Sequence, residues 1–88
     1  MSKKEIKIVD LSLEELQNLL GVNDSNLNLL ELRYKTSLSY SNNTIYFEGD
    51  DNLEKELNDI FNALISQAKK GVLIDERLLV QICTLAKN

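Results

Sequence analysis

Histidine and proline are absent from this chain, and cysteine occurs once. Without histidine, metal sites and catalytic mechanisms that depend on an imidazole are excluded. The single cysteine, Cys83, permits no internal disulfide and suits a reducing cytosol. Glycine is scarce too, standing only at positions 21, 49 and 71. A phosphate-binding P-loop needs Gly-x-x-x-x-Gly-Lys-Ser/Thr, so that bare amides and a lysine cradle the phosphates. The three glycines match no such spacing, which excludes ATP binding by that route. No apolar run approaches the ~20 residues of a membrane span. The opening Met1-Ser2-Lys3-Lys4 leads into a strand-like segment, not into the apolar stretch of a secretory signal. A cytoplasmic protein without a membrane partner is expected.

Positive charge is in short supply. Ten basic residues face fourteen acidic ones, for a net charge of −4. An acidic domain exerts no general pull on phosphates, so nucleic-acid binding requires a local basic patch. Lys7, Arg33 and Lys35 are the candidates for one. What is present is ordinary globular material: 43% apolar and 27% charged residues over 88 positions, enough for one domain with a modest core.

Hydrophobic periodicity places the elements. Glu5 to Asp10 alternates through Ile6 and Ile8 as a half-buried strand. Ser12-Leu13-Glu14-Glu15 is a capping box, with Leu11 and Leu16 spaced as a hydrophobic staple, and Gly21 ends the short helix that follows. A second short helix starts at Asp24 or Ser25 and turns Leu27, Leu30 and Tyr34 inward. Thr36–Tyr40 and Thr44–Glu48 alternate around Asn42-Asn43, a hairpin turn. After Gly49-Asp50-Asp51, with Asp51 and Glu54 available as caps, comes the clearest helical period in the chain. There Leu53, Leu57, Ile60, Phe61, Leu64, Ile65 and Ala68 share one face. Gly71 closes that helix; Val72-Leu73-Ile74 reads as a linker strand, and Asp75 caps a last helix over Glu76–Lys87. In this order the pieces resemble a KH-type α+β fold. It runs β-α-turn-α-β-β-α, with a three-stranded sheet packed by helices and an extra C-terminal helix. The expected division is a KH-like domain over 1–71, then the linker and terminal helix over 72–88.

Candidate chemistry is sparse. Glu54, Glu56 and Asp59 fall on solvated helix faces, and Asp50-Asp51 reads as a helix start, not a cation site. No catalytic residue, metal site or cofactor is expected within these residues. The turn Gly21-Val22-Asn23-Asp24-Ser25 holds the main interest. Amides at a helix start form an anion site, which is how a KH turn clamps a phosphate. Its fourth position is Asp24 where Gly-x-x-Gly is usual. Two readings stand: Asp24 caps the second helix itself, or the turn binds nucleic acid together with Asn28, Arg33 and Lys35. In the last helix Leu78, Ile82 and Leu85 form one stripe, and Leu79, Cys83 and Ala86 form another. Either both stripes are buried, with Cys83 as a small core residue, or Leu79, Cys83 and Ala86 form an interaction surface.

Three short motifs carry a closer resemblance. They are Leu20-Gly21-x-x-Asp24-x-Asn26-Leu27-x-x-x-Glu31, Ile45-Tyr46-x-x-Gly49-Asp50 and Lys70-Gly71-x-x-Ile74-x-Glu76-Arg77, closed by Leu85-Ala86-Lys87. Their order and spacing, from about Lys7 to Lys87, resemble the N-terminal domain of PhoH-like proteins, P-loop NTPases of the phosphate-starvation type. In that family an acid at the position of Asp24 is usual. The resemblance implies a non-enzymatic accessory domain that positions RNA, weakly, for an NTPase domain beyond Asn88. ATP and Mg are implied only for that absent domain. The alternative partner is the neighbouring NTPase domain itself, or a second copy of this chain. Asn28 stands where relatives are expected to carry lysine, and Ser41-Asn42 lacks their arginine; both departures remove positive charge.

Overall fold

The computed structural model of this chain describes residues 2–87; Met1 and Asn88, the outer ends of the two expected ranges, lie outside the described residues. Three strands form one antiparallel sheet: β1 (Ser2–Lys7), β2 (Ser39–Ser41) and β3 (Thr44–Gly49), in the order β1-β3-β2. The helices are α1 (Leu13–Leu20), α2 (Ser25–Tyr34), α3 (Asp51–Lys69) and α4 (Glu76–Ala86), and a 3-10 turn over Val22–Asp24 joins the first two. This is an α+β fold in the expected order, compatible with a KH-like arrangement.

Pairing in the sheet follows the alternation of apolar residues. Ile6 lies opposite Ile45, which on its other side meets Tyr40. Ile6, Ile45 and Phe47 are buried on the helix side, while Lys3, Glu5, Tyr46 and Glu48 face outward. The hairpin turns at Asn42-Asn43 with φ of 51° and 59°, both left-handed, as a two-residue turn between twisted strands requires. Against the expected Glu5–Asp10 and Thr36–Tyr40, β1 and β2 are shifted at both ends, and β3 runs one residue longer than expected, to Gly49. The first strand ends at Lys7, although Ile8 still donates its N–H to the Asn43 carbonyl at 2.7 Å. The second is only Ser39–Ser41, and the reason lies in two side chains. Glu31 accepts the Leu38 N–H at 2.8 Å and draws that backbone off the ladder, and Leu38 itself is buried in the core.

The long α3 supplies the largest part of the interior. Leu57, Ile60, Phe61 and Leu64 are fully buried, Ala68 nearly so, and Leu53 and Ile65 pack partly against them. Each such side chain removed from water contributes roughly 1.5–3 kcal/mol. The helix touches β3, α1 and α4. Its cap is Asp50, one residue before the expected Asp51: Asp50 Oδ1 accepts the Leu53 N–H at 2.8 Å. Residues 72–74 are not a strand, and the segment beyond residue 71 is no appendage. Ile74, Leu79, Ile82 and Cys83 belong to the same core cluster as Ile6 and Leu57.

Candidate binding face around the Gly21 turn

The turn begins where α1 stops. A capping box starts α1: Ser12 Oγ accepts from Glu15 N at 3.1 Å, and Glu15 Oε1 accepts from Ser12 N at 2.8 Å. At the far end of α1, Gly21 donates its N–H to Gln17 O at 2.8 Å and takes φ 84°. A side chain there would collide with Ser25 Oγ and set a carbon 2.8 Å from Asn26 N. Only glycine allows the chain to lie this close against the first turn of α2.

Asn23 and Asp24 follow with φ of 54° and 59°. An N-cap residue normally holds an extended backbone, so that its side chain bends back over the amides of the first turn. The left-handed conformation of Asp24 (ψ 29°) points elsewhere, and its carboxylate makes no capping hydrogen bond. Asp24 therefore does not cap α2, which corrects the expectation of a self-capped junction. Its carboxylate is exposed, and Val22 beside it is 82% exposed.

Two asparagines hold the junction instead. Asn26, only 5% exposed, directs its side-chain amide at the carbonyls of Asn18, Leu19 and Ile74, at 3.2, 3.2 and 3.1 Å. Asn18 donates to Val72 O at 2.7 Å and accepts from Ile74 N at 2.9 Å. Together they tie the end of α1, the start of α2 and the entry to α4 into one unit. Sequence reasoning assigned neither residue a task. The partners in residues 72–74 lie more than forty positions away, and no local pattern announces them.

The expected site residues are only partly assembled. Gly21, Val22, Ser25 and Asn28 line a groove of about 610 Å³ between α2 and residues 73–76. Arg33 and Lys35 lie toward the other end of α2, about 12 and 15 Å along the axis from Ser25 at 1.5 Å per residue. Lys35 instead lines a separate cleft of about 820 Å³ with Lys3 and Lys4, beside Tyr46 and Glu48. Lys7 sits on β1 and does not line the groove. The basic patch proposed to offset Asp24 does not form at the turn.

The apolar patch expected on α4 is not at the surface. Leu79 and Cys83 are fully buried and Ala86 is half-buried, so this stripe faces the domain's own core. In the neighbouring stripe Ile82 is buried, Leu78 half-buried and only Leu85 open, at 65%. A second correction concerns Glu56, which is half-buried and not on a solvated face. Its Oε2 and the Tyr34 hydroxyl are both sealed from solvent, and neither has a partner in hydrogen-bonding geometry. Burial, then the nearby Glu56 carboxylate, pushes the Tyr34 hydroxyl pKa well up. Burial likewise raises the Cys83 thiol, partly offset by Tyr34. Both stay protonated near neutral pH, which offers no activated nucleophile.

Among the described residues no group of three or more Cys, Asp or Glu gathers as a metal site, and no helix is long and apolar enough to cross a membrane. No family model matches the chain, and no curated protein or solved structure matches it either.

Proposed function

We propose that this chain is a non-catalytic, cytoplasmic KH-like accessory domain of a PhoH-like NTPase, binding single-stranded RNA weakly through the Gly21–Asp24 turn. The ATP- and Mg-dependent chemistry of such a protein belongs to a domain outside this sequence. One observation carries the reading. The turn is exposed and Asp24 leaves the start of α2 without an internal anion, in a fold compatible with a KH-like arrangement. Two facts make the binding weak. The carboxylate of Asp24 repels a phosphate at 4 Å by about 1 kcal/mol in water, and Arg33 and Lys35 lie too far along α2 to compensate.

Titration of short single-stranded RNA, followed by backbone amide shifts, tests this. Expected are shifts at Gly21–Asn28, a dissociation constant no better than roughly 10⁻⁴–10⁻⁶ M, and weakening as salt rises. Asp24→Asn should tighten binding about fivefold, the equivalent of the repulsion removed. RNA shifts confined to the Lys3–Lys35 cleft, or none at all, would sink the assignment to the turn. A second reading, docking onto another protein, is favoured by the exposed apolar side chains that line the groove.

A further inference from the structure

We propose that the groove between α2 and residues 73–76 receives an amphipathic helix of a partner protein, apolar on one face and flanked by lysine or arginine. Single exposed apolar residues are ordinary on any protein surface. Here three of them line one groove: Val22, Leu32 and Leu73 are 82%, 78% and 75% exposed, with half-buried Leu29 beside them. Grouped along one groove, they offer a partner an apolar floor.

Charge and backbone select the occupant. Among the described residues, the charged side chains lining the groove are Asp75 and Glu76, with no lysine or arginine. Asp24, on the turn that forms one end, adds an exposed carboxylate with no capping bond. Acids around an apolar floor attract a basic flank and repel phosphate, so nucleic acid and anionic lipid fit this surface poorly. A second copy fits poorly as well, since it brings the same net charge of −4. The backbone along the groove is largely committed. Val72 O, Ile74 N and Ile74 O are all engaged by Asn18 and Asn26, and α2 bonds internally. Leu73 alone keeps both its N–H and its C=O open, which is too short an edge for an extended peptide to pair along. An occupant must satisfy its own backbone, and a helix does so. The two asparagines also hold the walls in place before binding, which lowers the ordering cost. This surface overlaps the weak RNA reading at Gly21, Val22, Ser25 and Asn28 and extends beyond it through Leu32 and Leu73, which lie outside the turn.

The test uses the isotopically labelled chain and a synthetic helical peptide with leucine at i, i+3, i+4 and i+7 between lysine flanks. A second peptide carries glutamate in place of each lysine. Expected are amide shifts at Val22, Leu29, Leu32 and Leu73–Glu76, and binding by the lysine peptide about tenfold or more tighter than by the glutamate peptide. Leu32→Asp and Leu73→Asp, both at open positions that leave folding intact, should each weaken the lysine peptide more than about tenfold. RNA shifts at Gly21–Asn28 should survive Leu73→Asp, which separates failure of this proposal from failure of the RNA reading. Absence of peptide shifts, shifts elsewhere, equal affinity for both peptides, or indifference to Leu32→Asp and Leu73→Asp would overturn it. Sedimentation showing a dimer that Leu73→Asp dissociates would overturn it too, by giving the groove to a second copy.

Discussion

Asp24 and Asp50 both stand at the start of a helix a short step after a glycine, and they behave oppositely. Asp50 has φ −88° and ψ 179°, and its carboxylate takes the Leu53 N–H. Ser12 and Asp75 do the same for α1 and α4, with ψ of 166° and 179°. Asp24, with φ 59° and ψ 29°, leaves α2, alone of the α-helices among the described residues, without a side-chain cap. The residue type proposes a cap; an extended backbone is what delivers the oxygen to the amide. The β3–α3 junction is thus secured from outside, by a cap and by Lys4, whose Nζ lies 2.8 Å from Asp51 and 3.3 Å from Glu54. The α1–α2 junction has no ion pair among the described residues and is secured from inside, by Asn26.

This contrast is open to direct attack. The largest effect is expected from Asn26→Ala, which leaves three carbonyls without their donor and should cost about 2–4 kcal/mol. Urea unfolding should show a lower midpoint at unchanged slope, and amide exchange at Ile74 should quicken. A loss no larger than that of a cap would break the comparison. Next comes Asp50→Ala, at about 1 kcal/mol, against Asp24→Asn, which should stay within about 0.5 kcal/mol. Asparagine keeps the tolerance for a left-handed backbone, so the pair isolates the missing cap. Equal losses at both positions would mean that Asp24 contributes to α2 after all.

The smallest effect is electrostatic. Hydrogen bonding to Lys4 holds Asp51 below the ordinary carboxylate value of 3.8, and Asp51 in turn raises Lys4 above 10.5. The Asp51 contribution is present above pH 3.8 and disappears as pH falls through the lower folded-state value. That of Lys4 is present below pH 10.5 and disappears as pH rises through the higher one. Asp51→Asn should therefore flatten the acid limb of stability, with a minor change at neutral pH because the pair is exposed. An unchanged acid limb would remove this ion pair from the account.

Much of the frame was legible in the chain. The period of Leu53–Ala68, the alternation around Ile6 and Ile45, the Asn42-Asn43 turn and the Ser12–Glu15 box each report interactions within a few residues or along one face. The candidate site was far less so. Gly21 was legible as a helix stop, but Asp24 read as a cap because composition carries no sign of φ. Arg33 and Lys35 read as neighbours of the turn because they follow it closely in sequence, whereas a helix carries its last residues away at 1.5 Å per step. The stripe of Leu79, Cys83 and Ala86 was correctly drawn, yet its period could not say which side the core lies on. Glu56 read as solvated for the same reason.

By itself the sequence determined the order of the helices and of the paired strands, though not the strand ends or the state of residues 72–74, and an acidic composition without imidazole or a P-loop. Those properties follow from local propensity, from period and from side-chain chemistry, and they need no neighbours. Only the tertiary structure decided that Asn18 and Asn26 bind residues 72–74, that α4 is part of the core, and that Val22, Leu32 and Leu73 share one acid-lined groove. The physical reason is that carbonyl partners, burial and the grouping of exposed side chains are set by how elements pack. Packing is a property of segments distant in sequence and adjacent in space.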